Sequence, residues 1–249
     1  MRVPSKEIPL PTLPRELQWI NVAPLRMDKQ RGRPVLVEFW DYCRINSLRT
    51  LPYVKAWHER YAEHGLRVIG VHTGGWPCSR EPAHVEAAVA RRGIEQPVIV
   101  DSDLQVWDLY GNQGWPARYL WDQDGALFSM HYGEGAYAET ELEIAELLGL
   151  EVEPVAPVRP EDAPDALLPA QTADEPGAYR GPYEAGGVHV VCDGTGELRV
   201  NGRPVAIDGC DVYTVLEHAH HTEGVLELEA GEGVEILATC FTPATPPPA

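Results

Sequence analysis

The sequence contains no two cysteines spaced as a Cys-x-x-Cys pair. Its five cysteines, Cys43, Cys78, Cys192, Cys210 and Cys240, are odd in number and share no repeated spacing. That excludes a disulfide framework and a zinc ribbon, and leaves reduced, buried thiols as the expectation. No apolar run approaches the ~20 residues that a membrane-spanning helix needs, and the opening MRVPSKEIPLPTLPREL has no apolar core of the kind a signal peptide carries. The expectation is a cytoplasmic chain without a membrane partner. Basic residues are scarce towards the end: residues 151–249 hold 4 Lys/Arg against 18 Asp/Glu, whereas residues 1–150 hold 16 against 20. With a net charge of −18, the chain repels nucleic acid and anionic surfaces. A P-loop, a dinucleotide fingerprint and a hydrolase elbow are all absent, and no cofactor is expected.

What is present centres on residues 34–52, PVLVEFWDYCRINSLRTLP. Val35, Leu36, Val37, Phe39 and Trp40 form a near-continuous apolar run, which suits a strand covered on both faces. From Ser47 the apolar residues Leu48, Leu51, Val54, Trp57 and Tyr61 recur every three or four positions, the period of a helix with one buried face. Pro52 lies inside that helix and predicts a kink. A second buried strand follows at 66–73, a third at 96–101, and helices at about 83–92, 105–110 and 139–148. Strand, helix, strand at this spacing makes a right-handed parallel unit, which brings the strand ends near Tyr42 and Thr73 to one edge of the sheet. Residues 118–122 and 126–132, joined at Asp124-Gly125, read as a β-hairpin.

At 249 residues the chain is long enough for two domains. Residues 151–176, rich in Pro, Ala and acids, read as a linker. From 177 to 243 short β segments alternate with glycine turns, including Asn201-Gly202, the pattern of a small antiparallel β-sandwich. The tail 244–249 is expected to be disordered. The β-module is expected to pack on the first domain or on a second copy of the chain, as a homodimer.

The pieces Phe39-Trp40, Tyr42, Ile45-Asn46, Arg49, Pro52, Gly70-Val71-His72-Thr73, Trp115-Pro116-Ala117, Tyr119-Leu120 and Gly133-Glu134-Gly135 resemble the TlpA/DipZ-type branch of thioredoxin-like (redoxin, AhpC/TSA-related) proteins over residues 17–150. The end of the chain more loosely resembles the carbohydrate-binding-module-like β-sandwich that follows in such proteins. The resemblance implies an α/β thioredoxin fold for residues 1–150, plus a small all-β antiparallel sandwich. It also implies a cis bond at Trp115-Pro116, facing the active-site turn. Thioredoxin-like proteins carry Trp-Cys-x-x-Cys at that turn, with a proline five residues after the second cysteine. Counted back from Pro52, the two thiol positions fall on Arg44 and Ser47, and Cys43 is one residue early.

Two readings follow. In the first, Cys43 is a displaced redox thiol, alone or paired with Cys78 from the loop after the next parallel strand. Its position ahead of a helix N-terminus and beside Arg44 favours thiolate, and its substrates are protein thiols. In the second, the chain is non-catalytic and keeps a polypeptide-binding surface around Trp40, Tyr42, Trp76, Trp115 and Pro116. The segment Glu217-His218-Ala219-His220-His221 carries imidazoles at metal-ligand spacing, but reads as a solvated loop between strands, so no metal site is expected.

Overall fold

The computed structural model describes residues 1–2 and 8–248; residues 3–7, with Pro4 of the proline-rich lead-in, and Ala249 of the tail lie outside them. The chain divides into two units, Met1–Ala156 and Pro157–Ala249.

The first unit runs β1 (Gln18–Ile20), β2 (Val35–Trp40), α1 (Ile45–Tyr61), β3 (Arg67–His72), α2 (Pro82–Arg91), β4 (Val98–Val100), α3 (Gln105–Tyr110), β5 (Ala117–Trp121), β6 (Leu127–Tyr132) and α4 (Tyr137–Leu148). The six strands form one mixed sheet in the order β1-β4-β3-β2-β5-β6. β2 is central. It pairs parallel with β3 and antiparallel with β5, and all six of its residues are buried.

Side chains alternate across this strand. Val35, Val37 and Phe39 face a core with Ile69, Val71, Ile99, Tyr119 and Trp121, while Leu36 faces Val54, Trp57, Val68 and Ile144 beneath α1 and α4. Each fully buried side chain of this size stabilises the fold by about 1.5–3 kcal/mol. α1 carries Pro52 in its interior. Beneath it, the buried carboxylate of Glu141 accepts hydrogen bonds from Trp57 Nε1, Arg60 Nη1, Tyr61 Oη and the backbone N–H of Val155. This single side chain joins α1, α4 and the stretch after α4, which packs Leu150, Val152 and Val155 on the core.

The second unit comprises β7 (Glu175–Pro176), β8 (Arg180–Val200), β9 (Arg203–Asp208), β10 (Asp211–Ala230) and β11 (Val234–Thr242). β8 is 21 residues long and pairs along both edges, with β10 and with β11. Asp211 lies opposite Cys192, Thr214 opposite His189 and Gly224 opposite Tyr183; partner numbers fall as strand numbers rise, so β8 and β10 run antiparallel. Residues 228–230 of β10 then pair with 198–200 at the other end of β8. The β8–β9 hairpin turns at Asn201 and Gly202, with φ of 51° and 77°, the left-handed pair that an Asn-Gly turn supplies. Val188, Val190, Leu198, Val200, Leu226, Leu228 and Phe241 fill the interior.

Three sequence expectations change here. The glycine-rich stretch 192–196 is not a break between strands: a Cβ on Gly194 would lie 2.0 Å from the Gly233 carbonyl oxygen, so these glycines let two backbones touch inside a continuous strand. The His218–His221 segment is not a loop but part of β10, and its side chains alternate, His218 bonding Tyr183 Oη and His221 approaching Glu184. The tail does not leave the unit at 244, because Ala244 is buried and the His221 N–H donates to the Thr245 carbonyl.

Candidate functional site

β2 and β3 run parallel, so the segments after both emerge at one edge of the sheet. The residue after β2 is Asp41, wholly buried, and it organises the turn. Its Oδ1 accepts the N–H of Cys43 at 2.9 Å, and its Oδ2 accepts the N–H of Gly75 at 2.8 Å and the Ser79 hydroxyl at 3.4 Å. Its own N–H donates to Ser47 Oγ at 3.2 Å, and its carbonyl accepts the N–H of Arg44. One carboxylate thus fixes the turn before α1 against the loop after β3. Asp41 was not singled out in the sequence. The signal available was an aspartate two residues before the amide it caps, the local pattern short acidic side chains favour.

Behind the turn, His72 ends β3 and is buried. Its Nε2 accepts the Tyr42 N–H at 3.3 Å and lies 3.5 Å from Asp41 Oδ1. The imidazole is stacked on Tyr42 and edge-on to Trp40. Trp40 and Tyr42, expected at a binding surface, are 2% and 0% exposed. They are the floor of the site because β2 is the central strand and both its ends stay covered.

The Cys43 side chain carries a thiol and is 0% exposed. It is therefore not bridged to Cys78, which, against the expectation of reduced thiols, is disulfide-bonded; Cys78 lies in the short 3-10 turn Cys78–Arg80, and its carbonyl receives the Tyr42 hydroxyl and approaches His84 Nδ1 at 2.9 Å. The one-residue offset from the helix start turns Cys43 inward, whereas Arg44, the N-cap of α1 with φ −114° and ψ 114°, reaches outward. Ser47 is wholly buried.

Arg44 occupies the mouth. Its guanidinium carbon lies 4.1 Å from the ring centre of Trp76, from the loop after β3, and 4.8 Å from that of Trp115, before β5. Cation–π contacts of this kind contribute about 0.5–2 kcal/mol each. Trp115 is backed by Trp107 at 4.4 Å. Trp107 is held in turn by Asp101, whose carboxylate accepts the N–H groups of Val106 and Trp107 at the start of α3. Burial pushes Asp101 above the usual carboxylate range, against the pull of those amides. The Trp115-Pro116 peptide is cis, and β5 begins at the next residue.

Deeper in the sheet, Glu38 and Arg118 face each other across β2 and β5, both 1% exposed. Desolvation raises Glu38 to about 8, with Arg118 opposing the rise. Among the described residues the metal-ligating side chains of the His218–His221 segment form no group of three, and no helix is long and apolar enough to cross a membrane.

No family model matches the chain. Protein DipZ of Mycobacterium tuberculosis is 35% identical over 163 residues, covering 62% of this chain and 24% of DipZ; the chain thus spans about a quarter of that relative. The thiol–disulfide oxidoreductase YkuV of Bacillus subtilis is 29% identical over 119 residues, covering 48% of this chain and 80% of YkuV. A solved thioredoxin-like protein in its oxidised form superimposes with a TM-score of 0.53 at 26% identity, covering 59% of this chain and 99% of that one. The fold is that of thioredoxin-like proteins, followed by a separate antiparallel β unit, and the sequence relatives include thiol–disulfide oxidoreductases.

Proposed function

We propose that this chain binds extended polypeptide at the edge formed by Arg44, Trp76, Trp115 and Pro116, and does not run a dithiol cycle. The observation that carries the reading is the filling of the two thiol positions implied by the family resemblance. Arg44 holds the first, in cation–π contact with two indoles, and Ser47 holds the second, buried against the Asp41 amide. Disulfide exchange requires a thiolate attacker and a resolving thiol within reach, and neither a guanidinium nor a hydroxyl can serve as either. Cys43, at 0% exposure, has no approach for an incoming disulfide, and a buried thiol is inert. The polypeptide-facing parts remain: the cis Trp115-Pro116 peptide, the paired aromatic faces and a rigid turn.

The test pairs two assays on the full chain. Insulin reduction in the presence of dithiothreitol should not exceed the rate without the protein. A fluorescently labelled, reduced and carboxymethylated unfolded protein should bind, and Trp115→Ala should weaken that binding about ten-fold, the order expected for an aromatic anchor. Disulfide turnover that disappears in Cys43→Ser would instead support the displaced redox centre.

A further inference from the structure

The Arg44 guanidinium lies over the rings of Trp76 and Trp115, and its N–H donors lie in its own plane rather than towards the rings. Nε is buried without an acceptor, so a ligand meets the guanidinium at its Nη groups. Asp41 is the carboxylate at hand: a Cβ built on Gly75 would be 2.8 Å from Arg44 Nη2 and 3.3 Å from Asp41 Oδ2. Yet Asp41 already satisfies Cys43, Gly75 and Ser79. α1 behind Arg44 has no side-chain cap and no acidic residue in its first turn, so no carboxylate on the helix competes for Arg44. The site therefore presents an under-bonded planar cation, desolvated by two indoles and adjoining the cis-proline edge.

We propose that Arg44 receives a side-chain carboxylate, Asp or Glu, from the docked polypeptide, so that the site selects acidic segments. This rests on the polypeptide-binding reading above and adds its specificity. A planar fork matches a carboxylate through two parallel hydrogen bonds, and loss of solvent around the rings strengthens the pair. The overall charge of −18 opposes approach of acidic chains, but at 0.15 M salt that field is screened beyond about 8 Å, and the local pair decides.

The experiment passes a library of N-acetylated, C-amidated decapeptides, randomised without cysteine, over the immobilised full chain at 0.15 M salt, and sequences what is retained. Asp and Glu should be enriched about ten-fold at one position. Arg44→Gln should retain peptides while losing that enrichment. Gly75→Ala, whose methyl displaces the guanidinium while leaving Arg44 present, should reduce it, and thermal melts of both variants check that they are folded. Retention without acidic enrichment, or enrichment that survives Arg44→Gln, would overturn this inference and leave polypeptide binding intact. Retention of a free-acid library alone would overturn it in favour of a terminal carboxylate. Failure to retain any peptide would remove the polypeptide-binding reading itself.

Discussion

Glu38 and Arg118 sit directly opposite each other in the β2–β5 ladder, each 1% exposed, yet neither oxygen of Glu38 has a hydrogen-bond partner. The pair is adjacent without being bonded, so desolvation outweighs attraction and Glu38 is raised to about 8.

The sign of the pH effect follows. The folded state keeps a proton that the unfolded chain releases near 4.5, so the stability associated with neutral Glu38 is fully present below about 4.5 and is lost as pH rises through about 8. Glu38→Gln keeps the shape and removes the titration. Its melting temperature relative to the natural chain should rise by roughly 5–10 °C between pH 5 and pH 8.5, from a linkage of order 2–4 kcal/mol. A difference that is flat with pH, followed by calorimetry, would show that Glu38 is ionised in the fold.

Glu141 receives bonds from three side chains and one amide. Glu141→Ala leaves Trp57, Tyr61 and the Val155 amide unpaired and should cost about 3–5 kcal/mol, seen as a lowered urea midpoint. Glu141→Gln should cost less, because an amide oxygen still accepts.

Restoring thiols at the two implied positions should restore the chemistry. The double variant Arg44→Cys, Ser47→Cys should form a disulfide within the chain, two hydrogens lighter by mass spectrometry and reversed by dithiothreitol. It should also gain insulin reduction, which neither single variant should show. If the double variant stays reduced under glutathione disulfide, the turn does not have the geometry that the fold implies.

In the second unit, Gly194→Ala combines φ +92° with a contact of 2.0 Å to backbone, whereas Gly202→Ala meets φ +77° in open space. The second should cost about 1 kcal/mol from conformation alone; the first should cost at least twice that, since the Gly233 backbone must move. Urea unfolding of the two variants side by side separates strain from collision.

Much of this was legible in the residues themselves. The apolar run before Asp41, the three-to-four spacing from Leu48 to Tyr61, and the hairpin at Asp124-Gly125 are local patterns, and local patterns survive being read one stretch at a time. The site was legible only in outline. Trp76 and Trp115 meet at Arg44 from positions 32 and 71 residues away in the sequence, a contact that no periodicity encodes. Trp40 and Tyr42 looked like surface aromatics because their burial depends on His72, supplied by the neighbouring strand. β8 looked like short segments split by a glycine turn because Gly194 and Gly196 resemble a turn until Gly233 and Glu232 are seen packed against them.

The inward turn of Cys43 has a kinetic consequence. A thiol with no exposed surface reacts with a labelling reagent only when the segment around it opens, so its rate of modification reports how often the Asp41-centred turn comes apart. At high reagent concentration that rate becomes the opening rate itself; at low concentration it reports the equilibrium fraction open. Cys43 is in this sense a built-in clock for the binding edge, and a bound polypeptide that braces Arg44 and Trp115 would slow it.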